Sequence, residues 1–262
     1  GRVEQARAHR QIGHAELGGQ GLEQLVLGHP AFLDEDAADA QAELALQARG
    51  FGDLLGFGEA AFGEDVAEAL AAGLNTVSVP VDRDGMAADE ALWGASPPRL
   101  VYLTPSHQYP LGSILSLERR LDLLNRIGNG WLIEDDYDSE FRYAGEPVPA
   151  MLGMVNNAPV VYLGTFSKTL FPSLRMGFMV LPPALAKAAR PAIGSLLRGG
   201  HRAEQRTLAL FIEEGYYARH LAAMRRLYRK RYRQLREVLG AELYSPHRIL
   251  AGEGGMHPTL AI

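Results

Sequence analysis

A lysine with hydroxyl and guanidinium neighbours follows an apolar run in the second half of the sequence. Residues 160–163, Val-Val-Tyr-Leu, predict a buried strand, and Lys168 comes shortly after it. Thr165 and Ser167 precede the lysine, and Arg175 follows it. Because a phosphate needs several hydrogen-bond donors and a nearby positive charge, the segment predicts a lysine that forms a Schiff base with a phosphate-bearing aldehyde. The alternative is an ordinary loop lysine, since lysines are seldom buried.

An acidic run with a tyrosine follows a second apolar run. Residues 130–133, Gly-Trp-Leu-Ile, predict a strand that leads into Glu134, Asp135, Asp136 and Tyr137. A carboxylate that pairs with a pyridine nitrogen keeps it protonated and makes the ring an electron sink. A nearby tyrosine hydroxyl can bond a ring oxygen. An acidic run can also cap a helix, solvate a loop or bind a metal ion.

A polar turn, Thr104 to Gly112, is a third candidate for the same pocket and contains His107 and Tyr109. Taken alone, either side chain is more simply explained by packing or by an internal hydrogen bond. The acidic run and the lysine, however, each follow a predicted strand of an α/β sheet. That arrangement is expected of a pyridoxal phosphate site.

The elements that position these segments alternate between strands and helices, which predicts right-handed βαβ units and a mostly parallel sheet. Ser116 is a helix cap, and Leu117, Leu121 and Leu124 share one face of the helix that follows. Binding sites in such sheets lie in loops at the carboxyl ends of the strands. The predicted strands are 76–81, 99–104, 130–133, 159–163 and 177–181, and the predicted helices are 64–72, 86–92 and 116–127.

The first 60 residues are rich in Gly, Ala, Leu, Gln and Glu and contain few β-branched runs. They predict a helix at 37–48 and a glycine-rich loop at 50–58, with no clear strand. The glycine cluster at 18–21 is a weak candidate for a phosphate loop, because no strand leads into it.

The chain becomes helical from residue 184, with predicted helices at 203–214 and 216–239. The longer helix carries several arginines around an apolar stripe of Leu221, Met224, Tyr228 and Leu235. The arginines indicate either contact with nucleic acid or a solvated face. The net charge of −5 for the whole chain favours the solvated face.

The composition excludes several classes of function. The 262 residues contain no cysteine, which rules out disulfides and thiolate chemistry, and no metal site is expected. Neither a signal peptide nor an apolar run of about 18 residues is present, so we expect a cytoplasmic location. The apolar fraction of 47% is that of a globular protein.

At these motifs the chain resembles the fold-type I, aspartate-aminotransferase-like pyridoxal phosphate proteins. More closely, it resembles the MocR group of GntR-type transcriptional regulators. The resemblance covers roughly residues 63–260, and its long motifs occur in order. The matching stretches are 104–110, 133–143, 163–177, 204–206 and 211–226.

The resemblance implies a role for each candidate residue. Lys168 would form the Schiff base, Asp135 would pair with the pyridine nitrogen, and Tyr137 would bond the ring hydroxyl. Three further residues would contact or neighbour the phosphate, with Arg175 the strongest of them: Thr165, Ser167 and Arg175. Tyr109 stands where ordinary aminotransferases carry an asparagine before the proline. This difference favours a regulator over a housekeeping transaminase.

The implied fold is an α/β, fold-type I transferase-like structure, with a mostly parallel central sheet flanked by helices. Residues 63–195 would form the pyridoxal phosphate-binding large subdomain and 196–262 a partial α/β small subdomain. Residues 1–62 are an atypical segment in which the family's phosphate loop is not recognised. The arginine that grips a substrate carboxylate in the family would lie after residue 262.

The implied function is that of a regulator's effector domain, which senses pyridoxal phosphate or an amino compound through Lys168. The alternative is a class I/II aminotransferase acting on an amino acid, so transaminase activity stays open. Homodimers are usual in this fold. DNA would be contacted only through a winged-helix module, which is not recognised in these residues.

Overall fold

The computed structural model of the chain describes residues 23–28, 54–58, 75–94, 97–145, 148–198, 200–242, 248–249 and 254–261. Within them, no helix is both long and apolar enough to cross a bilayer. The elements, in chain order, are β1 (Glu23–Gly28), β2 (Leu54–Gly58), β3 (Asn75–Val79), β4 (Val81–Asp82), β5 (Gly85–Met86), β6 (Leu100–Leu103), α1 (Leu117–Arg126), β7 (Trp131–Asp136), β8 (Val160–Thr165), β9 (Met176–Leu181), α2 (Pro183–Leu197), α3 (Arg202–Glu213), α4 (Tyr216–Glu242), β10 (Arg248–Ile249) and β11 (Leu260–Ala261).

Seven of the described strands form one large sheet in the order β1-β9-β8-β7-β6-β2-β3. Strand β4 pairs with β5, and β10 pairs with β11, in two small antiparallel sheets. The parallel pairs are β3 with β2, β2 with β6, β6 with β7, and β7 with β8. Strand β9 is antiparallel to β8, and β1 is antiparallel to β9. The predicted α/β fold with a mostly parallel sheet is therefore confirmed. The carboxyl ends of β6, β7 and β8 lie side by side, which brings the three candidate loops to one edge.

Apolar layers cover both faces of the sheet. On one face, Leu123 and Leu124 of α1 join a buried cluster with Val101, Leu132 and Val160 of the sheet. On the other face, Ala186 of α2 packs in a cluster with strand residues of β7, β8 and β9. A third cluster joins the loop after β8 to α3 and α4, through Phe166, Leu208, Tyr217 and Leu221. The site edge is thus held between the sheet and the C-terminal helices.

The expectation for residues 1–60 was wrong where the structure describes them. Residues 54–58, predicted as a glycine-rich loop, form β2, which pairs with both β3 and β6. Residues 23–28 form β1 at the edge of the sheet. The glycines and scarce β-branched residues hid these strands, because pairing on the sheet overrides weak local propensity. The expected helices at 37–48 and 64–72 and the cluster at 18–21 lie outside the described residues.

Two helical predictions need correction. Residues 86–92 are not helical, because Met86 pairs with Val81 in a hairpin and Asp89 accepts the N–H groups of Ala91 and Leu92. Such an aspartate turn competes with a helix. In α1, capped by Ser116 as predicted, the inward residues are Arg120, Leu123 and Leu124.

The predicted apolar faces were also partly misassigned. Leu117 is 62% exposed and Leu121 39% exposed, so the face of α1 is rotated from the expected one. In α4, Leu221 is buried, but Leu235 is 41% exposed. The helix extends past its packed part here, which periodicity alone does not reveal.

A buried arginine of α1 links three loop segments through their backbone carbonyl groups. Arg120 is 1% exposed, and its guanidinium donates to the carbonyl oxygens of Leu115 (2.8 Å), Pro105 (2.6 Å) and Pro149 (3.1 Å). Pro105 opens the loop after β6. A planar guanidinium with five donors suits this three-way contact.

We expect Arg120→Met to destabilise the fold by about 3 kcal/mol or more, because it leaves buried carbonyl groups without donors. Urea unfolding followed by circular dichroism measures the change. Arg126→Met on the same helix is the control, since the ion pairs of Arg126 with Glu90 and Asp122 face solvent. Equal shifts in the two variants would contradict the structural role of Arg120.

Candidate functional site

The register of β7 separates the acidic run into two faces. Ile133 of β7 lies opposite Tyr102 of β6, and Glu134 lies opposite Tyr162 of β8. On each face, the tyrosine hydroxyl donates to the aspartate two residues beyond its register partner. Tyr102 bonds Asp135 at 2.5 Å, and Tyr162 bonds Asp136 at 2.6 Å. Each carboxylate is therefore held by a tyrosine hydroxyl from a neighbouring strand.

Three carboxylates of the acidic segment are buried and serve the protein itself. Glu134 accepts the backbone N–H groups of Met151 and Leu152 at 3.0 and 3.2 Å. Asp136 accepts the Ser139 hydroxyl at 2.6 Å as well as that of Tyr162. Asp138, 1% exposed, bonds His107 and the Met256 N–H. The run is thus mostly structural.

Asp135 differs from these three because it is only half-buried. It lies opposite Leu163 of β8, near the carboxyl end of the strand. Because successive side chains of a strand point to opposite faces, Asp135 lies on the opposite face of the sheet from Glu134 and Asp136. Asp135 is therefore the carboxylate of the strand that is best placed to meet a bound molecule.

Lys168 lies in a turn directly after β8. Its side chain is exposed, and the next residue, Thr169, is 1% exposed. Thr169 accepts the hydroxyl of Tyr217 at 3.1 Å, and its carbonyl oxygen lies 2.9 Å from Nε2 of His220. Both partners belong to α4. The helix therefore anchors the backbone beside Lys168 and leaves its amine accessible.

The hydroxyl residues around the lysine shape the same turn. The Oγ1 atom of Thr165 accepts the N–H of Ser167 at 3.1 Å, at the point where β8 ends. Arg175 is exposed and adopts a left-handed conformation, with φ of 48°, directly before β9. A non-glycine residue there is unusual and costs about 1 kcal/mol. Such strain is found at functional sites.

Tyr109 and Tyr137 lie in the loops that follow β6 and β7. The Tyr137 hydroxyl donates to the carbonyl oxygen of His107 at 2.8 Å. Burial raises the pKa of Tyr137, and the charges of Asp138 and Asp135 raise it further, so the phenol stays protonated. Tyr109 is 39% exposed, and its ring meets the edge of the His257 ring at a centroid distance of 5.0 Å.

His257 connects these loops to the lysine. Burial lowers its pKa, the charge of His107 lowers it further, and the charge of Lys168 acts in the same direction, while Asp138 opposes them. Its ring contacts those of His107, Tyr109 and Tyr137. The rings of Tyr109 and Tyr137 therefore lie around His257, which is within the electrostatic influence of Lys168.

Three residues of this region were missed by sequence reasoning as members of the site: Tyr102, Asp138 and His257. Tyr102 stood in a predicted strand, and its polar end gave a weak signal. Asp138 and His257 come from loops distant in sequence, and only the tertiary fold brings them to His107, which the sequence had placed in the third candidate turn.

Comparisons with known proteins identify the family of the chain. A family model for aminotransferase class I and II matches residues 70–260. The chain belongs to this family. The resemblance inferred from the motifs is thereby confirmed at the level of the family.

Similar curated proteins include transcriptional regulators. A probable rhizopine catabolism regulatory protein, MocR, of Rhizobium meliloti is 48% identical over 165 residues, which cover 62% of this chain and 33% of that protein. An uncharacterized HTH-type regulator, YhdI, of Bacillus subtilis is 38% identical over 213 residues, which cover 80% of this chain and 45% of that protein. The chain thus spans less than half the length of these relatives.

Solved structures with the same fold include aminotransferases. The multiple substrate aminotransferase of Thermococcus profundus superposes with a TM-score of 0.77 and 26% identity, covering 97% of this chain and 63% of that one. LysN, an α-aminoadipate aminotransferase of Thermus thermophilus complexed with N-(5'-phosphopyridoxyl)-L-leucine, gives 0.75 and 23%, covering 98% and 64%. The predicted fold-type I architecture is confirmed.

Glu134 predicts a pH dependence of stability. Burial raises its pKa to about 7 from an ordinary 4.5; the Met151 hydrogen bond opposes this rise and the charge of Asp136 adds to it. Between these two values the native state binds more protons than the unfolded state. Its contribution to the free energy of unfolding is therefore present below pH 4.5 and falls by about 3 kcal/mol as pH rises through 7.

We expect the stability advantage of the wild type over Glu134→Gln to shrink between pH 5 and pH 8, because the variant does not titrate there. Urea unfolding at several pH values measures it. Glu118→Gln, at an exposed glutamate of α1, should show no such trend. A wild-type advantage independent of pH would contradict the predicted pKa of Glu134.

Proposed function

We propose that this chain is the pyridoxal phosphate-binding effector domain of a MocR-type transcriptional regulator, which detects the cofactor or an amino compound at Lys168. The observation that carries the proposal is the contrast within the acidic run. Asp135 alone of the three carboxylates of β7 is not buried, and the exposed Lys168 lies beyond the end of the neighbouring strand.

The donor set suits pyridoxal phosphate. Asp135 offers a carboxylate for the pyridine nitrogen, and the Tyr102 hydroxyl orients that carboxylate. Tyr137, kept protonated, would meet the ring oxygen. The phosphate would be met by the Arg175 guanidinium together with the Thr165 and Ser167 hydroxyls, which lie in the same turn.

The bound group supplies an electrophilic carbon and a ring that withdraws electrons. The residues of the chain would orient the bound group, stabilise the charge on its ring and cover it. Asp135 would stabilise a protonated ring nitrogen, because an opposite charge favours the charged form. Lys168 provides the amine, and the contacts of Thr169 with α4 keep its backbone in place. Tyr109 and His257 would cover the side on which an amino compound enters.

Regulation would follow from the link between Lys168 and α4. A ligand that binds one arrangement of the loop and helix more tightly than another shifts the population towards it. The full protein would transmit this shift to a winged-helix module that contacts DNA. A homodimer in the cytoplasm is part of the proposal. The identity to curated regulators supports the regulatory role.

An alternative function is amino-acid transamination. The 2-aminoadipate transaminase of Thermus thermophilus is 31% identical over 188 residues, which cover 69% of this chain and 47% of that enzyme. In this case Lys168 would also move a proton to and from the substrate. Repeated turnover of an amino acid to its oxo acid by the full-length protein would favour the enzyme. Ligand-dependent DNA binding without turnover would favour the regulator.

The cofactor site can be tested by incubating the chain with pyridoxal phosphate, reducing it with borohydride and mapping the peptides. We expect the phosphopyridoxyl label on Lys168, because its amine is accessible and the groups proposed to bind the phosphate lie in the same turn. Lys168→Ala should lose the label.

Lys187→Ala and Lys230→Ala are matched controls, because both lysines are exposed on helices. They should retain the label at Lys168. A label spread equally over the three lysines, in a sample whose circular dichroism shows it to be folded, would overturn the cofactor proposal without bearing on the metal site proposed below.

A further inference from the structure

Two histidines lie together in the loops at the site edge, and the proposed cofactor chemistry assigns neither a bonding role. His107 is 5% exposed and follows β6, and the half-buried His257 precedes β11. Their ring centroids are 4.5 Å apart, with an angle of 42° between the planes. Within the described part of the chain, the Nε2 atoms of both rings are buried and lack a hydrogen-bond partner.

Contacts on the other ring nitrogens fix the tautomers. Nδ1 of His107 lies 2.9 and 3.2 Å from the two carboxylate oxygens of Asp138, so it carries the proton. The backbone of Pro110 lies beside the His257 ring as a hydrogen-bond acceptor. Because Nε2 of His257 has no partner, Nδ1 is the ring nitrogen that can carry the proton. In the neutral state, each Nε2 is then an acceptor with a lone pair.

A buried acceptor without a donor costs about 1–3 kcal/mol. Two acceptors cannot bond one another, so each requires a donor or a cation. A metal ion accepts both lone pairs at once. Histidines that bind metals usually donate their other ring N–H to a carboxylate or a backbone carbonyl. Here the carboxylate is that of Asp138, and the backbone carbonyl is that of Pro110.

We propose that His107 and His257 bind a divalent first-row transition ion, such as Zn²⁺, through their Nε2 atoms. Asp138 and the Pro110 carbonyl hold the two rings, and solvent or a bound ligand completes the coordination. The chain has no cysteine, so an imidazole pair with oxygen ligands is the set available, and imidazole suits zinc, copper and nickel. The inference stands independently of the cofactor.

The distances are compatible with a shared ion. The ligand atoms of His107, Asp138 and His257 lie within 4.8 Å of one another. Zinc–nitrogen bonds of about 2.0–2.1 Å in a tetrahedral site place two nitrogens about 3.3 Å apart. The 4.5 Å between the centroids of the two histidine rings is a distance of the same order.

The backbone around the pair is shaped to hold it. Gly255 has φ of 81°, and a Cβ atom there would lie 2.0 Å from Cε1 of His107. The Gly255 N–H donates to the carbonyl oxygen of Phe141, and the Met256 N–H donates to Asp138. The segment that carries His257 is therefore tied over the ring of His107.

Zn²⁺ titration of the untagged chain by calorimetry tests the proposal, with cobalt absorption as a second readout of nitrogen ligation. We expect one ion per chain, removable by a chelator. His257→Gln should weaken binding at least tenfold. Asp138→Asn should weaken it about 10–100-fold, because the carboxylate orients His107.

His201→Gln is the control, since this histidine is exposed and lies outside the pair. It should leave the affinity unchanged. Circular dichroism establishes that each variant is folded. Absence of stoichiometric binding by the wild type would overturn the proposal, and so would an affinity that His257→Gln leaves intact.

Discussion

The double pairing of β7 is the constraint on which the site depends. Strand β6 fixes it on one side and β8 on the other, both in parallel register. A slip of one residue would exchange the faces of all its side chains. Asp135 would then enter the layer under α1, while Glu134 and Asp136 would lose the groups that satisfy them. The tyrosine bonds from Tyr102 and Tyr162 reinforce the observed register.

The C-terminal part of the chain completes what the sheet begins. Helix α4 holds the turn of Lys168 through Thr169, and Asp138 binds the segment that carries His257. The loops after β6, β7 and β8 are thus joined to elements far along the chain. A ligand that moves any of these loops would act on α4 and on the 254–257 segment. This coupling gives the proposed regulatory role a physical basis.

Apolar periodicity and the turn residues between the apolar runs predicted the parallel strands. They also predicted which loops carry the candidate site residues, because each buried apolar run ended at a polar loop. They failed where pairing overrides local signals, as at β2 with its glycines. Asp135 and Lys168 were identified from residue type and position, although their roles stay predictions. The pairing of His107 with Asp138 could not be predicted, since it depends on loop conformations. Leu117 and Leu235 show that an apolar stripe does not tell which residues are covered.

The most direct test of the central claim compares the absorption spectra of the pyridoxal phosphate-bound wild type, Asp135→Asn and Asp136→Asn. If Asp135 alone faces the cofactor, Asp135→Asn changes the position and pH titration of the visible band and weakens binding. A folded Asp136→Asn keeps the wild-type spectrum. Identical spectra for wild type and Asp135→Asn, or a change confined to Asp136→Asn, would contradict the assignment of the site to this face of β7.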